Sequence, residues 1–304
     1  MKRPLILELK ANSLDDGPGI RTAVFFKGCP LDCIWCHNPE SKKTGTELMV
    51  SANDCIGCGS CKNVCPKQAA GPERPGIVDR TLCGGCFLCA EGCPPKALQR
   101  IGKEMTIEET VKKCVSDKPF YDVSGGGVTI TGGEPTMFPE WTGALCSQLS
   151  EAGVHVHMET CGMFSYEKVK ALILPYLSGV YMDVKIIDRE KHKRYCGVYN
   201  DVILENLERL LQDSKTMGFS FMPRTPLVPG ITDTNENLEA IARLYLSLGI
   251  TETELLPYNP TWYGKNEKLG RTLAPELKGL DRWQPPEKIT QCKTIFTQKG
   301  IRCR

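Results

Sequence analysis

The stretch KGCPLDCIWCHNPES, Lys27 to Ser41, spaces three cysteines as Cys29-x3-Cys33-x2-Cys36. It directly follows an apolar run over 22–27 that reads as a strand. Two more cysteine runs lie downstream. One is Cys55-x2-Cys58-x2-Cys61-x3-Cys65-Pro66, and the other repeats it as Cys83-x2-Cys86-x2-Cys89-x3-Cys93-Pro94. Together the three runs take eleven of the chain's 17 cysteines.

Thiolates hold iron–sulfur clusters, and the repeated spacing is that of bacterial two-cluster ferredoxins, in which the fourth cysteine of a run ligates the other cluster. Cys55, Cys58, Cys61 and Cys93 are therefore assigned to one [4Fe–4S] cluster, and Cys83, Cys86, Cys89 and Cys65 to a second. The first run offers only three ligands. A cubane on Cys29, Cys33 and Cys36 leaves one iron free for an external ligand, as a catalytic zinc site keeps an open position. Chemistry is expected at that third cluster.

Composition narrows the class further. At 304 residues, 41% hydrophobic and 24% charged, the chain reads as an ordinary globular protein. A formal charge of +2 gives no reason to expect nucleic acid or an anionic membrane as partner. No apolar run approaches the roughly 20 residues of a membrane span. The start, MKRPLILELK, is a poor signal peptide because Glu8 and Lys10 break its apolar stretch. Cluster motifs belong in reducing compartments, so a cytoplasmic, anaerobic setting is expected.

Residues 51–100 are dense in Cys, Gly and Pro and poor in periodic pattern, so metal must stand in for a hydrophobic core there. On both sides, strands and helices alternate. Strands are predicted over 22–27, 128–131, 154–159, 179–185, 220–224 and 254–257. Helices are predicted over 107–116, 140–152, 166–177, 201–213, 237–248 and 287–299. Alternation at this pitch argues for a parallel sheet with helices outside it, and six units suggest an open partial barrel. Function in such folds gathers at the C-terminal strand ends. Cys29, Gly132-Gly133-Glu134, Glu159-Thr160, Asp183, Lys185, Arg224 and Asn259 all fall at or just past those ends.

CPLDCIWC, with aromatic Trp35 before its last cysteine, joined to TGGEP (131–135), resembles the radical S-adenosylmethionine (SAM) superfamily. DGPGIRT (16–22), SGGGVTITGGEP (124–135), METCG (158–162), YMDVK (181–185) and PRTPLVPGI (223–231) occur in order and are similar to the glycyl radical enzyme activating enzymes. The two-cluster segment resembles the subgroup that serves choline lyase, glycerol and hydroxyproline dehydratases, arylacetate decarboxylase and sulfonate lyases. The resemblance implies an α/β fold: a partial (β/α)6 TIM-like barrel of the radical SAM type over 1–50 and 101–304, with a bacterial ferredoxin-like domain inserted over 51–100. It also implies three [4Fe–4S] clusters and SAM as cosubstrate. A glycyl radical enzyme would be the protein substrate and flavodoxin or ferredoxin the reductant. The open iron would chelate SAM, and the 5′-deoxyadenosyl radical formed from it would take a hydrogen from one glycine of the partner.

The same resemblance suggests residue roles, each with a plainer reading beside it. Gly132, Gly133 and Glu134 would present a carbonyl or carboxylate to the SAM ammonium, or else form a strand-to-helix turn. Ser124 and Gly125–Gly127 read as a tight approach to the sheet. Asp183 and Lys185, two apart, share a face. Lys185 and Arg224 would neutralise the SAM carboxylate, and the plainer reading of Asp183/Lys185 is a structural salt bridge. In one branch of the family, Asp183 and Glu159-Thr160 would hold a monovalent cation. Asp16 would meet the partner's glycine loop, or only shape a turn. Trp35 would wall the cluster and adenine. Asn259 replaces a histidine found near adenine in several relatives. His155 and His157 are expected to pack within the sheet, and Cys114, Cys146, Cys161, Cys196, Cys292 and Cys303 to be buried apolar residues. Two competing functions are a radical SAM enzyme for a small molecule and a plain electron carrier. The carrier leaves the three-cysteine run and Gly132–Glu134 unexplained.

Overall fold

The computed structural model describes residues 2–74 and 76–304. Its strands are β1 (Leu5–Ser13), β2 (Arg21–Lys27), β3 (Glu47–Val50), β4 (Leu98–Ile101), β5 (Gly127–Gly132), β6 (Val156–Thr160), β7 (Gly179–Asp183), β8 (Ser220–Pro226), β9 (Glu252–Leu256) and β10 (Arg302–Cys303). The helices are α1 (Ser60–Val64), α2 (Leu88–Glu91), α3 (Ile107–Val115), α4 (Lys118–Ser124), α5 (Pro139–Glu151) and α6 (Tyr166–Leu172). They continue with α7 (Arg189–Cys196), α8 (Asp201–Met217), α9 (Asn235–Leu248), α10 (Trp262–Lys268) and α11 (Pro286–Thr297). Among the described residues, no helix is long and apolar enough to cross a membrane.

One eight-stranded sheet runs in the order β1-β2-β5-β6-β7-β8-β9-β10. Strand β1 pairs antiparallel with β2, and every later neighbour pairs parallel. The six predicted strands are β2 and β5 to β9, wound with helices between them as a partial barrel. Edge strands β1 and β10 escaped the sequence reading. β1 is mostly solvated, with Glu8, Lys10 and Asn12 breaking its apolar pattern, and β10 has only two residues.

Residue alternation divides the sheet chemically. Val24, Phe26, Val128, Ile130, Val156, Met158, Val180 and Met182 belong to the apolar core that the helices complete. Trp141 on α5 meets Phe26 edge-on at 5.3 Å between centroids. The opposite face is polar, and its side chains bond one another across strands: Arg21 to Thr129 (2.6 Å), and Thr131 to Glu159 (2.6 Å). This polar lining points the functional groups inward.

Helix boundaries follow local chemistry. Thr106 and Glu109 form a capping box at α3, and Thr234 caps α9, which stops at left-handed Gly249. The helix predicted over 166–177 breaks instead after Leu172 and resumes as a 3-10 turn at Leu174–Tyr176. Pro175 lacks the N–H that an α-helix needs there.

Residues 51–100 lack long helices. Strands β3 and β4 pair antiparallel across the ends of this segment. The cysteine repeat, offset by 28 residues (83 − 55), recurs in the backbone. Gly57 and Gly85 both have φ +70°, Gly59 (+73°) matches Phe87 (+63°), and Gln68 (+48°) matches Lys96 (+58°).

Candidate active site

The three-cysteine loop leaves β2 and is fastened on both sides. Gly28 N–H donates to Ser41 O (2.6 Å) and Cys29 N–H to Lys42 O (3.1 Å). Asp32 and Ile34 N–H groups donate to Cys196 O (2.8 Å) and Tyr195 O (3.0 Å) at the end of α7. Trp35 is buried beside Tyr195, with ring centroids 6.4 Å apart. Burial pushes the Cys36 thiol up to about 12, so ligation there requires a cation that draws the proton off.

The Gly132-Gly133-Glu134 turn locks onto this loop. Gly133 N–H donates to Phe26 O (2.9 Å) and Glu134 N–H to Gly28 O (2.7 Å). A Cβ at Gly132 would lie 2.2 Å from Phe26 N, and one at Gly133 would lie 2.1 Å from Gly28 O. Gly132 thus admits the backbone of β2, and Gly133 that of the cysteine loop at Gly28. The expected role for a Glu134 carboxylate towards SAM is corrected by its partners. It is fully buried and accepts from Thr136 N (3.2 Å), Thr136 Oγ1 (2.6 Å), Thr160 Oγ1 (2.9 Å) and Cys161 N (2.7 Å). Those bonds tie the β5 and β6 ends together and leave backbone groups of the turn as the ones available to a ligand. Upstream, Ser124 accepts from Ile20 N–H (2.9 Å) and Gly126 packs on Ile20, the tight approach expected there.

Arg224, Glu159, Asp183 and Lys185 form one ion-paired chain inside the barrel. Arg224 reaches Glu159 at 2.7 Å and Asp183 at 3.4 Å, and Lys185 reaches Asp183 at 2.8 Å. Burial opposes the Asp183 charge, but Lys185 and Arg224 outweigh it and hold the carboxyl below its ordinary value. Burial likewise opposes the Lys185 charge, and Asp183, Cys33 and Cys161 overcome it, so the ammonium stays protonated. The salt-bridge reading of Asp183/Lys185 is therefore present, and Arg224 is drawn into it. Lys185 keeps further N–H donors, and Arg224 Nε is buried without a partner. Both carboxylates expected for a monovalent cation are already neutralised by these cations. Among the described residues, no group of three or more His, Cys, Asp or Glu side chains is arranged for a single metal ion.

Asp16 approaches the same chain from the loop after β1. Its carboxylate accepts from the Ser13 hydroxyl, and its carbonyl accepts from Thr129 Oγ1 (2.6 Å). Burial raises its pKa, and the Glu159 charge adds to the rise.

The eight remaining cysteines of the runs line two cavities. Cys65, Cys83, Cys86 and Cys89 line one, and Cys55, Cys58, Cys61 and Cys93 line the other. Each cavity takes three cysteines from one run and the fourth from the other.

His157 is buried with Nδ1 unpartnered and packs edge-on against Tyr181 at 5.5 Å, whereas His155 is exposed. Asn259 Oδ1 accepts from Thr261 N–H (3.0 Å), so its side chain shapes a turn. Cys114, Cys146, Cys161, Cys196 and Cys292 are buried as expected, and Cys303 is half-buried. A strap from α10 onward was not foreseen. Lys265 bonds His37 O (3.1 Å) and Asn38 Oδ1 (2.9 Å), Arg271 bonds Glu47 (2.7 Å), and Lys268 O accepts from Arg80 (2.8 Å). These partners lie more than 180 residues away in sequence, beyond any local signal.

Comparison with known proteins agrees with this geometry. The radical SAM superfamily model matches residues 81–245, and a 4Fe-4S binding domain model matches residues 48–70. The isethionate sulfite-lyase activating enzyme of Oleidesulfovibrio alaskensis is 40% identical over 299 residues, covering 96% of this chain and 92% of that enzyme. The benzylsuccinate synthase activating enzyme of Thauera aromatica is 36% identical, covering 99% and 92%. A radical SAM methyltransferase from Sphaerobacter thermophilus shares the fold, with a TM-score of 0.53 at 14% identity, covering all of this chain and 77% of that one. The chain belongs to the glycyl radical enzyme activating enzymes of the radical SAM superfamily, which use SAM and [4Fe–4S] chemistry to place a radical on a glycine of a partner enzyme.

Proposed function

We propose that Cys29, Cys33 and Cys36 hold the cluster at which SAM is cleaved, and that residues 51–100 are a ferredoxin-like domain carrying two more clusters. One observation supports the first assignment above the rest: Glu134 and the Gly133–Phe26 and Glu134–Gly28 bonds bring the cysteine loop, the glycine turn and Thr160-Cys161 to one end of the barrel. The donor sets suit such groups, since cysteine sulfurs line the two cavities of residues 51–100 and three more gather in the loop after β2. A cluster bound there supplies the electron for reductive cleavage of SAM.

The chain's own residues then bind and orient. Backbone groups of Gly132–Glu134 meet the SAM ammonium, Lys185 and the free Nε of Arg224 meet its carboxylate, and Trp35 walls the site from water. The Asp183–Arg224–Glu159 chain fixes both cations in place. Asp16, at the polar interior, faces the entering glycine loop. Flavodoxin or a ferredoxin would be the reductant in a reducing, cytoplasmic setting, with the two-cluster segment either relaying its electrons or docking the partner enzyme.

The test is anaerobic reconstitution with iron and sulfide, addition of SAM and a low-potential reductant, and assay of 5′-deoxyadenosine. Wild type forms it, Cys33→Ala forms none, and a candidate glycyl radical enzyme then shows a new EPR doublet. Undiminished 5′-deoxyadenosine from Cys33→Ala would sink the assignment.

A further inference from the structure

Two thiols outside the three cysteine runs lie against the cysteine loop. Cys196 closes α7 and is fully buried. Its carbonyl and that of Tyr195 accept from Asp32 and Ile34, the two neighbours of Cys33 in sequence, so this helix end brackets Cys33. Gly197 follows at φ +85°, where a Cβ would lie 3.2 Å from Asp32 Cβ, and this glycine allows the close approach. Cys161 comes from another side, held through its N–H by Glu134 at 2.7 Å. Both belong to one buried cluster with Cys33 and Trp35, against which Cys29 and Cys36 pack. Within it, Cys196 lies beside Cys33 and Cys161 beside Cys29. Cys114, Cys146 and Cys292 differ, because they sit in the main apolar core.

A thiol is a weak donor, and a ligand thiolate is a charged acceptor. Hydrogen bonds to ligand sulfurs favour the more negative, reduced cluster and so raise its potential. We propose that Cys161 and Cys196 are positioning residues of the catalytic cluster, whose S–H groups donate to the sulfurs of Cys29 and Cys33 and set its reduction potential. The proposal rests on the assignment of that cluster to Cys29, Cys33 and Cys36.

EPR-monitored redox titration of the reconstituted full chain tests it, with iron content measured on each sample. Cys196→Ala and Cys161→Ala should each shift the catalytic cluster to a more negative midpoint, while the two clusters of residues 51–100 stay unmoved as internal references. Cys196→Ser, which restores a donor, should recover the wild-type value. An iron-replete Cys196→Ala at wild-type potential, or equal shifts in Cys196→Ala and Cys196→Ser, would overturn the proposal. If Cys196→Ala loses its cluster, Cys196→Val fills the space without a donor and decides in the same way. A Cys33→Ala protein with undiminished iron would instead overturn the cluster assignment itself.

Discussion

In the barrel, α5 lays Trp141, Leu145 and Leu149 onto a sheet face that includes Phe26 and Ile130, all of them essentially inaccessible to solvent. In residues 51–100, α1 and α2 have five and four residues, and the buried set around them is small: three cysteines, three alanines, Ile77, Val78 and three aliphatics of the flanking strands β3 and β4. Ile56, Leu82 and Leu88 are left exposed there. Backbone conformation differs as well. Of five non-glycine residues at positive φ among the described residues, Gln68, Ile77, Phe87 and Lys96 lie in this segment. Left-handed conformations of that kind persist only where something else over-determines them. The barrel is ordered by apolar burial, of which the segment has little, so the proposed clusters would supply the order there.

Removing iron should separate the two most sharply. Anaerobic chelation should abolish amide-exchange protection across 51–100 while β5 to β9 and their helices keep theirs. Simultaneous loss in both regions would break the comparison. Trp141→Ala should act conversely, costing about 3–5 kcal/mol by denaturant titration with iron content unchanged. The third effect is smaller and depends on pH. Burial, with Arg21 and His155 adding to it, pushes the His157 pKa down to about 3. The unfolded chain binds that proton near the ordinary value of about 6.5, so stability falls as pH drops from there towards 3. His157→Phe should lose less stability than wild type between pH 7.5 and 5.5. Equal slopes would mean that His157 takes up its proton in the fold at the same pH as in the unfolded chain.

Much of the site was legible because its signals are local. Cysteine spacing marks the proposed ligands wherever the chain goes, and the crossed grouping of Cys65 and Cys93 at the two cavities follows the repeat. Alternating strand and helix patterns placed β2 and β5 to β9, and within β5 the apolar Val128 and Ile130 alternate with Thr129 and Thr131. For Glu134 the resemblance implies a carboxylate or a carbonyl towards SAM, with a strand-to-helix turn as the plainer reading. Its actual partners, Thr160 and Cys161, come from the next strand, and sequence carries no sign of that bond.

The amino-acid sequence alone determined the parallel α/β alternation, the two types of cysteine run and the family, because periodicity, turn chemistry and ligand spacing are short-range properties. Only the tertiary structure decided which charges neutralise one another and which sulfurs meet. Arg224 pairs with Glu159 across 65 residues and Asp32 bonds the Cys196 carbonyl across 164 (196 − 32), and such contacts depend on how strands and helix ends are brought together in space.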